Sequence, residues 1–207
     1  MKLLIAIPTG DFMPVESVKS LIGLCQRLDR DGVDYELKIE AGTLVYLARD
    51  RLGKYAIEEA RGFTHVLWLD SDMVFTDDIV EDLQFSGHDF VSGICHSRRR
   101  PYQSCLFSEY WPHPTRYDCT AYPANTFEVA ACGFAAVWMT TALLRQVILK
   151  FDQAFLPTKN FGEDVAFCDR ARQLGYKIYA EPGVHVGHVG HVTIYPEDYA
   201  PIEEIIS

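Results

Sequence analysis

Asp70 and Asp72, separated by Ser71, close an apolar run that reads HVLWL over 65–69. Two neighbouring carboxylates repel each other unless a cation or a proton lies between them. Three chemistries fit such a pair. It can supply oxygen ligands to Mg2+ or Mn2+ shared with phosphate oxygens, it can serve phosphoryl transfer, or it can be an ordinary acidic turn. Two more acids, Glu163 and Asp164, follow Gly162 where a helical pattern opens. Acids there complement the helix dipole, but a carboxylate beside a substrate hydroxyl can also take its proton. Asp164, with aromatic Phe161 leading in, is therefore a candidate general base. His185, His188 and His191 fall within seven residues, interleaved with Gly187 and Gly190. The glycines permit close backbone approach to a ligand, and each histidine is a candidate ligand to metal or phosphate. In an extended chain His185 and His191 share one side and His188 takes the other. Arg49, in LARDRLG, is either a solvated helix-face residue or a charge-assisted contact to phosphate.

Each of these groups needs an element to present it. Residues 2–7 form a short, nearly continuous apolar run, the pattern of a central parallel strand. Helical spacing follows from Pro14 and closes at Asp31-Gly32, and 33–40 alternate as a strand with one wet face. A second helix is expected over 45–60, the HVLWL run is the third strand, and 76–78 should start a third helix with Thr76 as hydroxyl cap. A fourth strand covers 89–95. The order βαβαβαβ argues for a mostly parallel sheet with helices on both faces. Ligands collect at the carboxyl ends of strands in such sheets, which is where Asp70 and Asp72 lie. Residues 96–126 show no sustained period, as expected of a functional loop region. They carry Arg98-Arg99-Arg100 and the aromatic residues Tyr110, Trp111 and Tyr117, which suit stacking on a sugar or a base. Strand-like composition returns over 127–138 around Cys132-Gly133. Helices are expected at 141–150 and from Gly162 to Gly175, and a strand at 177–180.

The bulk properties narrow the classes. A chain of 207 residues with 19 basic and 29 acidic side chains has a net charge of −10, which opposes broad nucleic-acid binding. The six cysteines form no CxxC pair and several sit in apolar patterns, which suits reduced thiols and a cytoplasmic location. No stretch approaches the ~20 apolar residues of a membrane span. The opening MKLLIAIPTG breaks at Pro8, too early for a secretory leader, and reads as the first strand.

Taken in order, the segments IPTG, the AR of LARDRL, LDSDM, CGF, FGEDVAFCDRARQLGYKIY and VGHVG resemble the GT-A fold glycosyltransferases, specifically small family-2-like enzymes of bacteria and their viruses. The resemblance spans 2–190 and leaves only 96–126 without a counterpart. It implies an α/β fold with a mostly parallel central sheet and helices on both faces, and a single catalytic domain over 1–207. Residues 1–95 would be the nucleotide-sugar-binding half, and 96–207 the acceptor-binding and catalytic half. The implied reaction is metal-dependent transfer of a sugar from a nucleotide-sugar donor to an acceptor hydroxyl, with inversion. Pro8, Thr9, Arg49, Asp70, Ser71, Gly133 and Glu163 would contact the donor, Asp72, Asp70 and His188 would hold Mn2+ or Mg2+, and Asp164 would deprotonate the acceptor. A glycan, a lipid-linked sugar, a protein or a modified DNA base all fit as acceptor. The chain departs from the pattern after the second strand, where Glu40-Ala41-Gly42-Thr43 replaces an acidic cluster, and at Asp50, where similar enzymes often carry Asn. Two alternatives use the same residues. One is a haloacid-dehalogenase-like phosphatase built on Asp70 and Asp72, although two βα units precede the motif here. The other is a sugar-nucleotide-binding module without catalysis.

Overall fold

The computed structural model describes residues 1–98 and 101–190. Its first strand, β1 (Lys2–Pro8), is buried from Leu3 to Ile7 because both its faces carry apolar side chains. It pairs in parallel with β2 (Asp34–Glu40) on one side and β3 (His65–Leu69) on the other. The crossovers are α1 (Val15–Arg30) and α2 (Val45–Ala56). β2 lies at the sheet edge and is half-exposed along most of its length; its alternating charged residues Glu36, Lys38 and Glu40 meet Tyr55 and Arg51 of α2 instead of forming a fully wet face. α1 stops at Asp31, and Gly32 turns the chain at φ 67°, a backbone angle that glycine adopts without a Cβ clash. α2 is shorter than its apolar pattern predicts. The Ile57 carbonyl is taken by the Arg145 guanidinium, and a single 3-10 turn (Glu59–Arg61) carries the chain onward instead.

Past β3 come β4 (Met73–Val74), α3 (Ile79–Phe85) and β5 (Phe90–Cys95). Thr76 does not cap α3 with its hydroxyl. Its backbone carbonyl accepts from Ile79 N at 3.4 Å, and Asp78 holds the cap position without a side-chain bond. The 96–126 region is not irregular throughout. Within it lie β6 (Leu106–Glu109) and β7 (Thr115–Arg116), which join β9 (Ala131–Cys132) in a small three-stranded sheet. The 127–138 stretch is three strands with three different partners. β8 (Phe127–Val129) pairs with β11 (Ile178–His188), β9 pairs with β6, and β10 (Ala136–Thr140) enters the main sheet. Between β10 and β11 stand α4 (Thr141–Phe151), capped by the Thr140 hydroxyl, and α5 (Glu163–Gln173).

The main sheet runs β2-β1-β3-β10-β5-β11-β4. β10 is antiparallel and sits between β3 and β5, which the run of βα units does not announce. This insertion has a positional consequence. Because β10 runs against β3, its first residue Ala136 pairs with Leu69, and Ala135 O accepts from Asp70 N at 3.1 Å. The Cys132–Ala135 stretch is thereby brought to the carboxyl end of β3. β11 is longer than the four residues its composition suggests, with a register shift between Glu181 and His185 around Pro182, which has no N–H to give. Gly93 makes that shift possible, since a Cβ there would lie 2.9 Å from Val184 Cγ1.

Alternation along the strands divides the core in two. Leu3, Ile5, Leu67 and Leu69 face α1 and α3 through Leu24, Leu28 and Leu83. Leu4, Ala6, Val66 and Trp68 face α2, α4 and α5 through Leu52, Leu144 and Phe167. Helices thus cover both faces. None of the six cysteines is in a disulfide, and among the described residues no helix is long and apolar enough to cross a membrane.

Candidate functional site

The strand that drives into two acids does so because a buried arginine waits for the first of them. Arg49, on α2, donates from Nη2 to Asp70 Oδ1 at 2.6 Å and from Nη1 to Glu163 Oε1 at 2.6 Å. Its side chain is 3% exposed and its guanidinium lies 5.1 Å from the Phe134 ring centroid. The reading of Arg49 as a solvated helix-face residue is therefore overturned. α2 turns it inward because Ala48, Arg49 and Leu52 share the face packed on the sheet. The trio ties the end of β3, the middle of α2 and the first residue of α5 to one another. Burial nevertheless pushes the Asp70 carboxyl above its usual range, with Arg49 opposing and the charges of Asp72 and Glu163 reinforcing.

Asp72 lies on the other side of the turn. β4 pairs with β11 so that Met73 stands opposite His188, and Val189 N donates to Asp72 O at 2.9 Å. That register delivers the imidazole, whose Nε2 is 3.3 Å from Asp72 Oδ2. Nδ1 gives its hydrogen to the His96 carbonyl at 3.0 Å, which orients the ring and leaves Nε2 to face the carboxylate. Arg98 reaches the same Oδ2 with Nη1. Burial alone would raise the Asp72 carboxyl; the hydrogen bond and charge of His188, together with Arg98, outweigh it and hold the group below its usual range. The bond to Asp72 in turn raises His188 against the effect of burial. His185 is exposed on the opposite face of β11, as period-two geometry requires, and His191 lies outside the described residues.

Asp164 forms a third station. Its Oδ1 accepts from Val165 N at 2.7 Å, and burial, then the charge of Glu163, push its carboxyl up. It opens on a pocket of about 310 Å3 that it shares with Gly133, Cys105, Arg98 and His188. Gly133 preserves that space, since a Cβ there would meet Cys105 Cβ at 3.2 Å and Asp164 Oδ2 at 3.7 Å. A second cleft, of about 480 Å3, runs along Gly10, Asp11, Phe12, Ser71, Asp72 and Arg98. Pro8 and Thr9 stand just before its wall rather than in it, with Thr9 Oγ1 bonded to Phe12 O at 3.4 Å. Gly10 closes the IPTG segment, but Asp11, Phe12 and Arg98 are cleft residues that no local motif marks; Arg98 is visible in sequence only as the start of a basic run.

Among the described residues, no group of three or more His, Cys, Asp or Glu side chains is arranged to hold a metal by itself. Two donors do converge, Asp72 Oδ2 and His188 Nε2, while Oδ1 of Asp70 is taken by Arg49. A pair of protein donors beside an open cleft fits a divalent cation that completes its shell with water and substrate phosphates, as Mg2+ commonly does.

No protein-family model and no curated protein matches the chain. Solved structures do. Protein A197 from STIV is similar over 92% of this chain and 87% of its own, with a TM-score of 0.60 and 19% identity. GalNAc-T7, crystallised with UDP, GalNAc and Mn2+, is similar over 97% of this chain but 45% of its own, with a TM-score of 0.63 and 10% identity. The catalytic domain of Drosophila β1,4-galactosyltransferase 7, in complex with xylobiose, is similar over 87% of this chain and 64% of its own, with a TM-score of 0.51 and 13% identity. This chain therefore spans less than half of the GalNAc-T7 chain and just under two thirds of the galactosyltransferase domain. At these identities the likeness speaks for architecture, and the architecture it establishes is the GT-A-like fold.

Proposed function

We propose that the chain is a metal-dependent glycosyltransferase that moves a sugar from a nucleotide-sugar donor to an acceptor hydroxyl with inversion. The observation that carries this reading is the meeting of Asp72 and His188, through the β4–β11 register, beside a pocket lined by Asp164. The presence of UDP and Mn2+ in GalNAc-T7 agrees with it. In this reading Asp72 and His188 hold Mn2+ or Mg2+, whose chemical contribution is to neutralise the diphosphate leaving group. Asp70 and Glu163, fixed by Arg49, present the turn and the start of α5 to the donor, and Ser71 with the loop after Pro8 and Thr9 lines its cleft. Gly133 leaves room for the transferred sugar. Asp164 takes the acceptor proton. Its raised carboxyl suits that task, because a base works best when its pKa is drawn toward the operating pH. Residues 1–95 supply most of the donor side, 96–207 the acceptor side, and a cytoplasmic location remains part of the proposal.

The phosphatase alternative has less support, since its nucleophile would be Asp70, whose Oδ1 is engaged by Arg49. The non-catalytic alternative leaves the half-buried, raised carboxyl of Asp164 without a task. A panel of nucleotide sugars with Mn2+, scored by release of nucleoside diphosphate, tests the reading. Asp164→Asn should keep donor binding by calorimetry and lose turnover by about 10³-fold, within the range of a general base. Undiminished turnover in that variant removes Asp164 from its role. Hydrolysis of a generic phosphoester with no nucleotide-sugar binding replaces the reading with a phosphatase.

A further inference from the structure

We propose that Arg98 is an internal stand-in for the divalent cation: it holds Asp72 in the ligand-free protein, competes with the metal for that carboxylate, and passes to the donor diphosphate when the metal enters. The inference rests on the reading of Asp72 and His188 as metal holders and extends it to a residue that no motif identifies.

Four features of the molecule support it. Arg98 Nη1 binds Asp72 Oδ2, the same oxygen that faces His188 Nε2. A carboxylate oxygen already held by a guanidinium cannot accept a divalent ion until that guanidinium withdraws, because like charges at contact distance repel strongly. The Arg98 side chain is 51% exposed, so its guanidinium can exchange Asp72 for water without being pulled from the core. Room to move is present as well. Arg98 lines the 480 Å3 cleft beside Ser71, the 310 Å3 pocket beside Asp164, and a third cavity of about 360 Å3 beside Tyr102 and Gly187. Finally, its backbone is packed against Gly190, where a Cβ would come within 3.3 Å of Arg98 Cβ and 3.5 Å of its carbonyl oxygen. The main chain is thus braced on Gly190, just past the end of β11, while the guanidinium is half exposed, which makes the exchange a side-chain motion. A displaced guanidinium offers a planar set of donors that matches phosphate oxygens. Metal arriving alone must then drive out Arg98 without compensation, whereas metal arriving with a diphosphate gives Arg98 a new partner.

Paired titrations of Mn2+, without and with UDP, followed by electron paramagnetic resonance, test this on the wild-type chain and on Arg98→Gln and Arg98→Lys. Circular dichroism confirms that the folds match. Arg98→Gln should bind Mn2+ alone about fivefold more tightly, the factor that corresponds to losing an exposed pair. The same variant should bind Mn2+ in the presence of UDP several-fold more weakly than the wild type, and Arg98→Lys should stay near the wild type in both. The opposite signs of the two changes identify the exchange. If Arg98→Gln leaves the affinity for Mn2+ alone unchanged or weaker while the wild type binds Mn2+ with UDP, competition at Asp72 is wrong and the metal site stands. A gain in both titrations shows that Arg98 never reaches the diphosphate and overturns the exchange. If no protein binds Mn2+ with or without UDP, the metal reading fails and takes this proposal with it.

Discussion

Asp70 and Asp72 are two residues apart and live in opposite settings. The first is bonded to a guanidinium whose side chain is 3% exposed and which is shared with a second carboxylate 114 residues away in sequence. The second is bonded to a guanidinium that is half exposed and to an imidazole held by a backbone carbonyl. Burying a charge is tolerated only when it is paired and its pairing is fixed. A charge at the surface can change partners at small cost. The turn therefore has a closed end that fixes the geometry of β3, α2 and α5, and an open end able to exchange one cation for another. A motif written as two equivalent acids is physically a brace followed by a ligand.

Removing the brace should have the largest effect on the protein itself. Arg49→Met would leave Asp70 and Glu163 facing each other without a cation, in a setting that already raises the Asp70 carboxyl. Breaking a buried pair by deleting one partner costs ~3–5 kcal/mol; since both acids keep some exposure, the lower end applies. A loss of about 3 kcal/mol lowers the Tm of a chain this size by ~10 °C, which thermal denaturation reads directly. A shift below ~2 °C would mean that the trio is not a brace.

Asp72→Asn should behave in the opposite way. The amide keeps the shape of the side chain and loses the charge that holds His188 and Arg98, both of which remain solvated enough to find water. The expected result is loss of ~10²-fold in affinity for UDP with Mn2+, as for removal of a charged group that organises a polar site, with Tm within ~2 °C of the wild type. Should Asp72→Asn unfold the chain as readily as Arg49→Met, the contrast between the two ends disappears.

The sequence made parts of this arrangement legible. The apolar run ahead of Asp70 reads as a buried strand, and the acids after Gly162 read as a helix start, because both signals are local. His188 separates from His185 once β11 is taken as extended. What stayed hidden depends on pairing between distant segments. Nothing in 65–69 or 136–140 says that β10 will insert against β3, yet that insertion puts Gly133 beside Asp164. Arg49 looks like a surface arginine because its two partners lie on other elements, at sequence separations of 21 and 114. The sequence points to Pro8 and Thr9, whereas Gly10, Asp11 and Phe12 line the cleft, since a loop's direction is not encoded in the strand that precedes it. The small sheet of β6, β7 and β9 escaped because its strands are too short to show a period.

The smallest effect belongs to the residue after the brace. Asp50 sits on α2 beside Arg49, is 6% exposed, and accepts from Phe155 N at 3.0 Å. Burial pushes its carboxyl above the usual range, and the Phe155 hydrogen bond with the charges of Lys54 and Arg170 does not fully compensate. The folded state therefore holds a proton on Asp50 more readily than the unfolded chain does. An ionised Asp50 lowers stability; the penalty is complete above the folded pKa and fades as pH falls through it toward the ordinary aspartate range. Asp50→Asn keeps the carbonyl that accepts from Phe155 and removes the charge, so it should raise Tm at neutral pH by ~2 °C. The gain should vanish on acidification below the ordinary aspartate pKa. A lower Tm at neutral pH would show instead that Lys54 and Arg170 need the negative charge more than the buried site resists it, making Asp50 a second brace on α2 beside the first.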